Sequence, residues 1–445
     1  MKHLRLSLLF LSAALIFAQA PDISTRFDEQ VRTYFDAGRF NGAVLVARDG
    51  QVLFKKGYGL ANAEWDIPVT TTTRFRLGSV TKQFTAMAIM MLEQDGKLKT
   101  SDPVCRFIEK CPDAWKPITL HHVLTHSSGI PNFTSFPDYT KTMMMASPPA
   151  ETLKRFLDRP LDFEPGSKFS YSNSGYVLLG LIVEKASGLK YEDFLKARIF
   201  DPLGMKDSGY DHGETVMPRR ASGYRKSGQE LLNAEYMDMS IPHGAGSLYS
   251  TVEDLLKWDQ ALYTEKLLPK EALARMFTPF KGNYAYGWFV TTKDGETHIG
   301  HGGGINGFAT HIERVTEPRL VSIALANVLP SEPAKVAADL LTIAAGKTPA
   351  KPPVHKEVAV DAKVLAEYVG EYQLGPATLT MTLDNGALFT QLTGQPRLPV
   401  FAETETRFFL KVVEATLEFQ RDAQGKVNAV VLDQNGMKQR ATRKQ

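Results

Sequence analysis

The tetrapeptide Ser79-Val80-Thr81-Lys82 carries the sharpest chemical signal in this sequence. The spacing of Phe84, Met87, Met91 and Leu92 predicts a helix from Ser79 to about Gln94, with Gly96 after it. A three-residue separation then puts the Ser79 hydroxyl and the Lys82 amine on one face, one turn apart. The unpaired N–H groups and positive dipole end of a helix N-terminus stabilise an alkoxide or oxyanion. A lysine whose pKa is lowered by burial can accept the serine proton. A second segment, Tyr171-Ser172-Asn173, precedes an apolar helix predicted from Gly175 to Ala186 and closed by Gly188. A tyrosine hydroxyl can relay a proton between nucleophile and leaving group, and an asparagine can bond an amide-like substrate in both directions. A third segment is Gly300-His301-Gly302-Gly303-Gly304. Glycines on a strand let a ligand approach the backbone, and an open strand edge offers N–H groups to a carbonyl. His301 would then face the site. Taken singly, the three segments also fit a serine cap, a turn and a glycine loop.

Competing readings fail on context. Gly302-x-Gly304-x-x-Gly307 matches the dinucleotide fingerprint, but a strand-like stretch, Phe308 to Val315, follows where a helix is required. His122 and His126 have zinc-ligand spacing, but Val123 stands where the zincin helix has glutamate, so both read as structural. No Gly-x-Ser-x-Gly surrounds any serine, which argues against an α/β-hydrolase. The reading calls for neither a cofactor nor a metal. Lys and Arg number 52 against 49 Asp and Glu, a net charge of +3, which gives no basic face for nucleic acid.

The elements that must position these residues form a mixed pattern. Gly42–Val46 and Gln51–Phe54 alternate around Asp49-Gly50, a hairpin signal. Ser250 and Glu253 form a capping box before Leu255, Leu256 and Trp258. Tyr286–Thr291, Thr297–Ile299, Phe308–Val315 and Leu320–Ala326 read as strands. Strands at both ends with helices between predict an α+β fold, its antiparallel sheet made from both termini around a helical insertion. The proline-rich run from Gly346 to Lys356 reads as a linker. Beyond it, a hairpin around Asp384-Asn385-Gly386 joins strands at Arg407–Val412, Thr416–Arg421 and Val427–Leu432. Turns fall at Asp422–Gly425 and Asn435-Gly436. The domain expectation is residues 1–20 as a signal peptide, 21–345 as a catalytic body, 346–360 as linker and 361–445 as a small all-β, barrel-like domain. The barrel carries no catalytic set and is expected to gate or shape the cleft.

Lys2 and Arg5 precede an apolar run from Leu6 to Ala18, and Ala18-Gln19-Ala20 has the small-x-small form of a cleavage site. The run is shorter than the ~20 residues of a membrane span, so the expectation is export to the periplasm or medium with no span left after cleavage. Losing Lys2 and Arg5 brings the charge to +1. Export lets Cys105 and Cys111 pair. Their spacing is too long for one regular helix, so Pro103 and Pro112 predict a short helix ending in a loop that brings them together.

Ser-x-x-Lys opening a helix, then Tyr-x-Asn, then His-Gly-Gly on a late strand resembles the serine β-lactamase and penicillin-binding protein superfamily. The likeness is greatest to the class C β-lactamase-related branch of D-aminopeptidases, D-alanyl-D-alanine carboxypeptidases and esterases. It covers about residues 25–340 and includes Phe75–Gly78, Leu124–Pro131, Asp201–Met205 and Ala245–Thr251. The β domain resembles the lipocalin-like domains appended to some members. The resemblance implies Ser79 as nucleophile, with Lys82 and Tyr171 sharing the acid/base work and the first proton left open between them. It implies Asn173, His301, Gly303 and Gly304 as substrate contacts, with the N–H groups of Ser79 and Gly304 as the oxyanion hole. His298-Ile299-Gly300 is an alternative match to the third motif, but glycines follow His301 as they do in the family. That family usually has Lys-Thr-Gly there, and a histidine is largely neutral at pH 7. The expectation is therefore an esterase or a D-amino-acid peptidase acting on a small molecule or peptide. The alternatives are a β-lactamase or DD-carboxypeptidase, and a non-catalytic peptidoglycan-binding or regulatory relative. The oligomeric state has no sequence signature.

Overall fold

The structure, a computed structural model, describes residues 22–444 apart from 229, 350–354, 376, 394–396, 411–414 and 435–436. The expected signal segment 1–20, part of the linker, the end of the Arg407–Val412 strand and the Asn435-Gly436 turn lie outside the described residues. The chain divides into two compact units, one ending at residue 349 and one beginning at 350.

In the first unit, β1 (Gly42–Arg48) and β2 (Gln51–Tyr58) form the expected hairpin. Asp49 and Gly50 both have positive φ, 49° and 78°, as a tight two-residue hairpin turn needs. Strands β3 (Phe289–Lys293), β4 (Glu296–Ile305), β5 (Phe308–Val315) and β6 (Leu320–Ala326) complete a sheet of order β3-β4-β5-β6-β1-β2. All its pairings are antiparallel. The N-terminal hairpin thus pairs with the last strand of this sheet, as the sequence pattern predicts.

Both faces of the sheet are covered, which is why β1 is buried from Gly42 to Ala47. Val44 and Val46 face a cluster with α1 (Ile23–Asp36) and α5 (Pro333–Ala344). Ala43 and Leu45 face the larger core with α2 (Thr81–Gln94), α3 (Asn173–Ser187) and α4 (Val252–Ala261). Helix α2 runs through the middle of that core, buried at every residue from Thr81 to Leu92. Helix α3 ends as expected on Gly188, left-handed at φ 76°.

Several boundaries differ from expectation: the Thr297–Ile299 strand runs on to Ile305 as β4, and α3 begins at Asn173 and not Gly175. Helix α4 is capped by Thr251, whose hydroxyl accepts from Asp254 N at 3.1 Å, and not by a Ser250–Glu253 box. Ser250 is already paired to Phe75 in a short strand, so the helix starts later. Strand β3 starts at Phe289 and not Tyr286, because Gly287 turns through φ 79° against the α2 backbone at Lys82. Cys105, within the short helical turn Val104–Arg106, is disulfide-bonded to Cys111 in the loop that follows, with Cα atoms 5.2 Å apart.

In the second unit, eight antiparallel strands from β7 (Gly370–Leu374) to β14 (Met437–Arg443) close into a barrel. Tyr368, Tyr372, Phe408, Leu417 and Phe419 pack its interior, as an eight-stranded barrel can be filled by side chains. Among the described residues, no helix is long and apolar enough to cross a membrane.

Candidate active site

Ser79 sits in a 3-10 turn, Gly78–Val80, that feeds directly into α2. The turn is wedged against β4. A Cβ on Gly303 would come within 1.9 Å of the Leu77 carbonyl oxygen, and one on Gly78 within 2.9 Å of Gly304 N. Gly78 also has φ 53°, so glycine is required there on two counts. Thr310 on β5 donates to the same Leu77 carbonyl at 2.7 Å, which pins the turn to the sheet. The glycines of the third motif therefore let a strand lie backbone to backbone against the serine turn. Strand β3 pairs with β4 only as far as Gly300, so the edge of β4 is unpaired by β3 from His301 to Ile305.

Lys82 lies one turn after Ser79 and is 0% exposed. Its Nζ is 2.9 Å from each of three oxygens: Ser79 Oγ, Asn173 Oδ1 and the Ala245 carbonyl. No carboxylate is among these partners, and burial holds the amine well below its ordinary pKa. A neutral amine has two N–H groups and one lone pair. Ala245 O can only accept. Asn173 also presents an acceptor, because its Nδ2 donates to Thr134 Oγ1 at 3.1 Å. The two N–H groups are thus spent, and the lone pair is left facing the Ser79 hydroxyl. This arrangement can take the serine proton.

Tyr171 closes the other side. Burial raises its phenol well above the usual value, and a hydrogen bond with the Ser79 side chain pulls it partly back. The Lys82 amine lies 4.8 Å from the Tyr171 ring centroid. Such a phenol stays protonated at neutral pH and can give its proton to a leaving group. Asn173 opens α3, and its N–H donates to Asn132 Oδ1 at 3.0 Å.

The structure gathers Ser79, Lys82, Tyr171 and Asn173 around one point. Ser79, Asn173 and Gly304 line a cleft of ≈ 830 Å3, walled by Phe133, Tyr139, Met237 and Phe308. Gly304 has nothing within 4 Å of its Cβ position. His301 and Gly303 lie beneath the cleft and do not line it. His301 is 3% exposed; its Nδ1 donates to the Gly302 carbonyl at 2.6 Å, and its Nε2 accepts from Tyr284 Oη at 3.0 Å. Burial, reinforced by Lys82, lowers its pKa to about 3, so the ring is neutral. Of the cleft cations, Arg225 pairs with Glu235 at 2.7 Å and Lys226 donates to the Gly38 carbonyl at 2.8 Å.

Three contributions to the site are not announced by residue type and spacing. The Ala245 carbonyl and Thr134 hydroxyl act from distant segments, and no side-chain type announces a backbone carbonyl. His126, read only as structural, packs its ring 4.2 Å from that of Tyr171. His122 is elsewhere, in the cap of Thr119. Among the described residues, no group of three or more His, Cys, Asp or Glu could hold a metal ion.

Comparison with known proteins agrees with this geometry. A family model described as Beta-lactamase matches residues 27–346, and one described as a domain of unknown function, DUF3471, matches residues 354–443. Penicillin-binding protein 4* of Bacillus subtilis is 31% identical over 435 residues, covering 91% of this chain and 95% of the relative. A D-aminopeptidase of Gluconobacter oxydans is 29% identical over 70% of this chain and 60% of its own length. The solved octameric penicillin-binding protein homologue from Pyrococcus abyssi superposes with a TM-score of 0.67 at 28% identity, covering 94% of this chain and 99% of that one. The chain belongs to the beta-lactamase family, as a class C-like relative of the penicillin-binding proteins with an appended β-barrel.

Proposed function

We propose that this protein is an exported, metal-independent serine hydrolase that forms an acyl-enzyme on Ser79 from an ester, amide or peptide. The observation that carries this reading is the Lys82 amine, buried, without a carboxylate among its three partners, its pKa lowered by burial, and 2.9 Å from the Ser79 hydroxyl. Ser79 Oγ attacks the substrate carbonyl carbon as Lys82 Nζ takes its proton. The developing oxyanion meets the N–H groups of Ser79 and Gly304. The Tyr171 phenol then protonates the leaving group, and water releases the acyl group by the reverse path.

Substrates lacking a free carboxylate beside the scissile bond fit this site best. His301 is neutral and engaged at both nitrogens, and Arg225 already has a carboxylate partner. An esterase or D-amino-acid peptidase is therefore favoured over a β-lactamase or DD-carboxypeptidase, in keeping with the D-aminopeptidase relative. Residues 1–20 as an export signal, and the Cys105–Cys111 disulfide, favour action in the periplasm or medium.

The test is a parallel screen of short-chain p-nitrophenyl esters, D-aminoacyl anilides and a chromogenic cephalosporin. Turnover of an ester or anilide, lost in Ser79→Ala and well above the cephalosporin rate, supports the reading. No turnover by soluble, folded protein on any of them favours a non-catalytic relative.

A further inference from the structure

His126 touches both sides of Tyr171. Its backbone carbonyl accepts from Ser170 N at 2.9 Å, and its ring Nδ1 accepts from Ser172 N at 3.2 Å. Between these two anchors the imidazole lies against the Tyr171 ring, 4.2 Å between centroids and tilted 39°. Tyr176 and Tyr284 hold the imidazole in place, at 5.0 and 4.6 Å. Tyr176 is itself tied to the Leu124 carbonyl at 2.8 Å, and Tyr284 to His301. His126 is 1% exposed, and its backbone sits at φ 54°, a left-handed conformation that a non-glycine residue adopts only where the surroundings enforce it. Because Nδ1 accepts a hydrogen bond, the ring proton is on Nε2, which has no hydrogen-bond partner among the described residues.

We propose that His126 is a positioning residue for Tyr171: it clamps the backbone on either side of the tyrosine and fixes the phenol on the Ser79–leaving-group axis. The inference rests on the reading of Tyr171 as the proton carrier. It adds a residue that touches neither nucleophile nor cleft, and it accounts for a buried histidine in a left-handed turn. The ring does not exchange protons in the reaction, since its one lone pair is committed to Ser172. Burial, with Lys82 and His301 nearby, also keeps it neutral, with its pKa well below the usual histidine value.

The side chain's part is separable from its fold role. Asparagine tolerates positive φ and carries an acceptor near the position of Nδ1, whereas alanine offers neither. With an alkyl ester or D-aminoacyl anilide as probe, whose leaving group must take a proton, His126→Ala is expected to lower kcat about 10- to 100-fold, as an ångström of misplacement can, with KM changed less than about twofold. His126→Asn should recover about tenfold of that loss. The decisive arm is the double-mutant cycle with Tyr171→Phe. If His126 acts through the phenol, replacing it costs little more than about twofold once the phenol is gone. If His126→Ala retains kcat within about twofold, or if its loss multiplies in full with that of Tyr171→Phe, the proposal is overturned. Should His126→Ala fail to fold, the same cycle is run on His126→Asn, with coupling supporting the proposal and independence overturning it. Full activity of Tyr171→Phe alone overturns the tyrosine reading itself, a separate outcome.

Discussion

Lys82 is the residue whose chemistry depends most on where the fold puts it. Its type and its spacing from Ser79 are legible in the sequence, but its protonation is not, because burial and acceptor-only partners come from segments 91 and 163 positions away. Arginine at this position keeps a cation and cannot accept a proton. Lys82→Arg is expected to lower kcat/KM on an ester probe by at least ~10³ while Ser79 remains present; steady-state kinetics checks it. The buried amine also leaves a mark on stability. Its pKa is lower folded than unfolded, so below about pH 10 the unfolded chain binds the extra proton. This group therefore makes stability rise with pH up to about the unfolded lysine value, and lowers it as pH falls toward the folded pKa. Denaturant unfolding of wild type and Lys82→Met should show the difference moving in favour of wild type between pH 7 and pH 10. His301 shows the limit of residue-type reasoning. The motif gives its position on the strand, but its neutrality and its place beneath the cleft follow from Tyr284 and the Gly302 carbonyl.

At the scale of elements, the site depends on how closely strand β4 approaches the Ser79 turn. The helices, the β1–β2 hairpin and the late strands were legible because apolar periodicity and Asp-Gly or Gly signals mark them locally. Their closest approach was not, since it is fixed by absent side chains. Two neighbouring glycines separate the effects. Gly303→Ala would drive a methyl to 1.9 Å from Leu77 O and 2.4 Å from Thr310 Oγ1, so the strand must move off the Ser79 turn. The expected cost is about 1–3 kcal/mol of stability with a large fall in kcat. Gly304→Ala meets open space and should unfold like wild type, with its effect confined to catalysis because it lines the cleft beside the oxyanion position. Thermal unfolding and kinetics of the pair check both. The α4 cap carries the same lesson: Ser250 and Thr251 are both good caps by type, and a strand pairing to Phe75 decides between them.

For the whole molecule, the cores that hold the site draw, among the described residues, on none beyond 345, and the barrel has its own. A chain ending at residue 349 is therefore expected to fold and keep a reactive Ser79. The expected role of the barrel in shaping the cleft predicts a changed ranking of substrates in that shortened chain; an unchanged ranking removes the role. The Cys105–Cys111 bond closes only a small loop, so Cys105→Ser with Cys111→Ser should cost about 2 kcal/mol or less, read by denaturant unfolding. That a barrel follows the linker was legible from alternating strands and turn residues, whereas its closure into eight strands depends on β7 pairing with β14 across the unit. Acylation of Ser79 is the step on which every other proposed role depends. Intact-protein mass spectrometry after treatment with a fluorophosphonate probe should show one adduct on wild type, mapped to Ser79, and none on Ser79→Ala, which should also lose hydrolysis. If Ser79→Ala is labelled and hydrolyses esters like wild type, the central claim is contradicted.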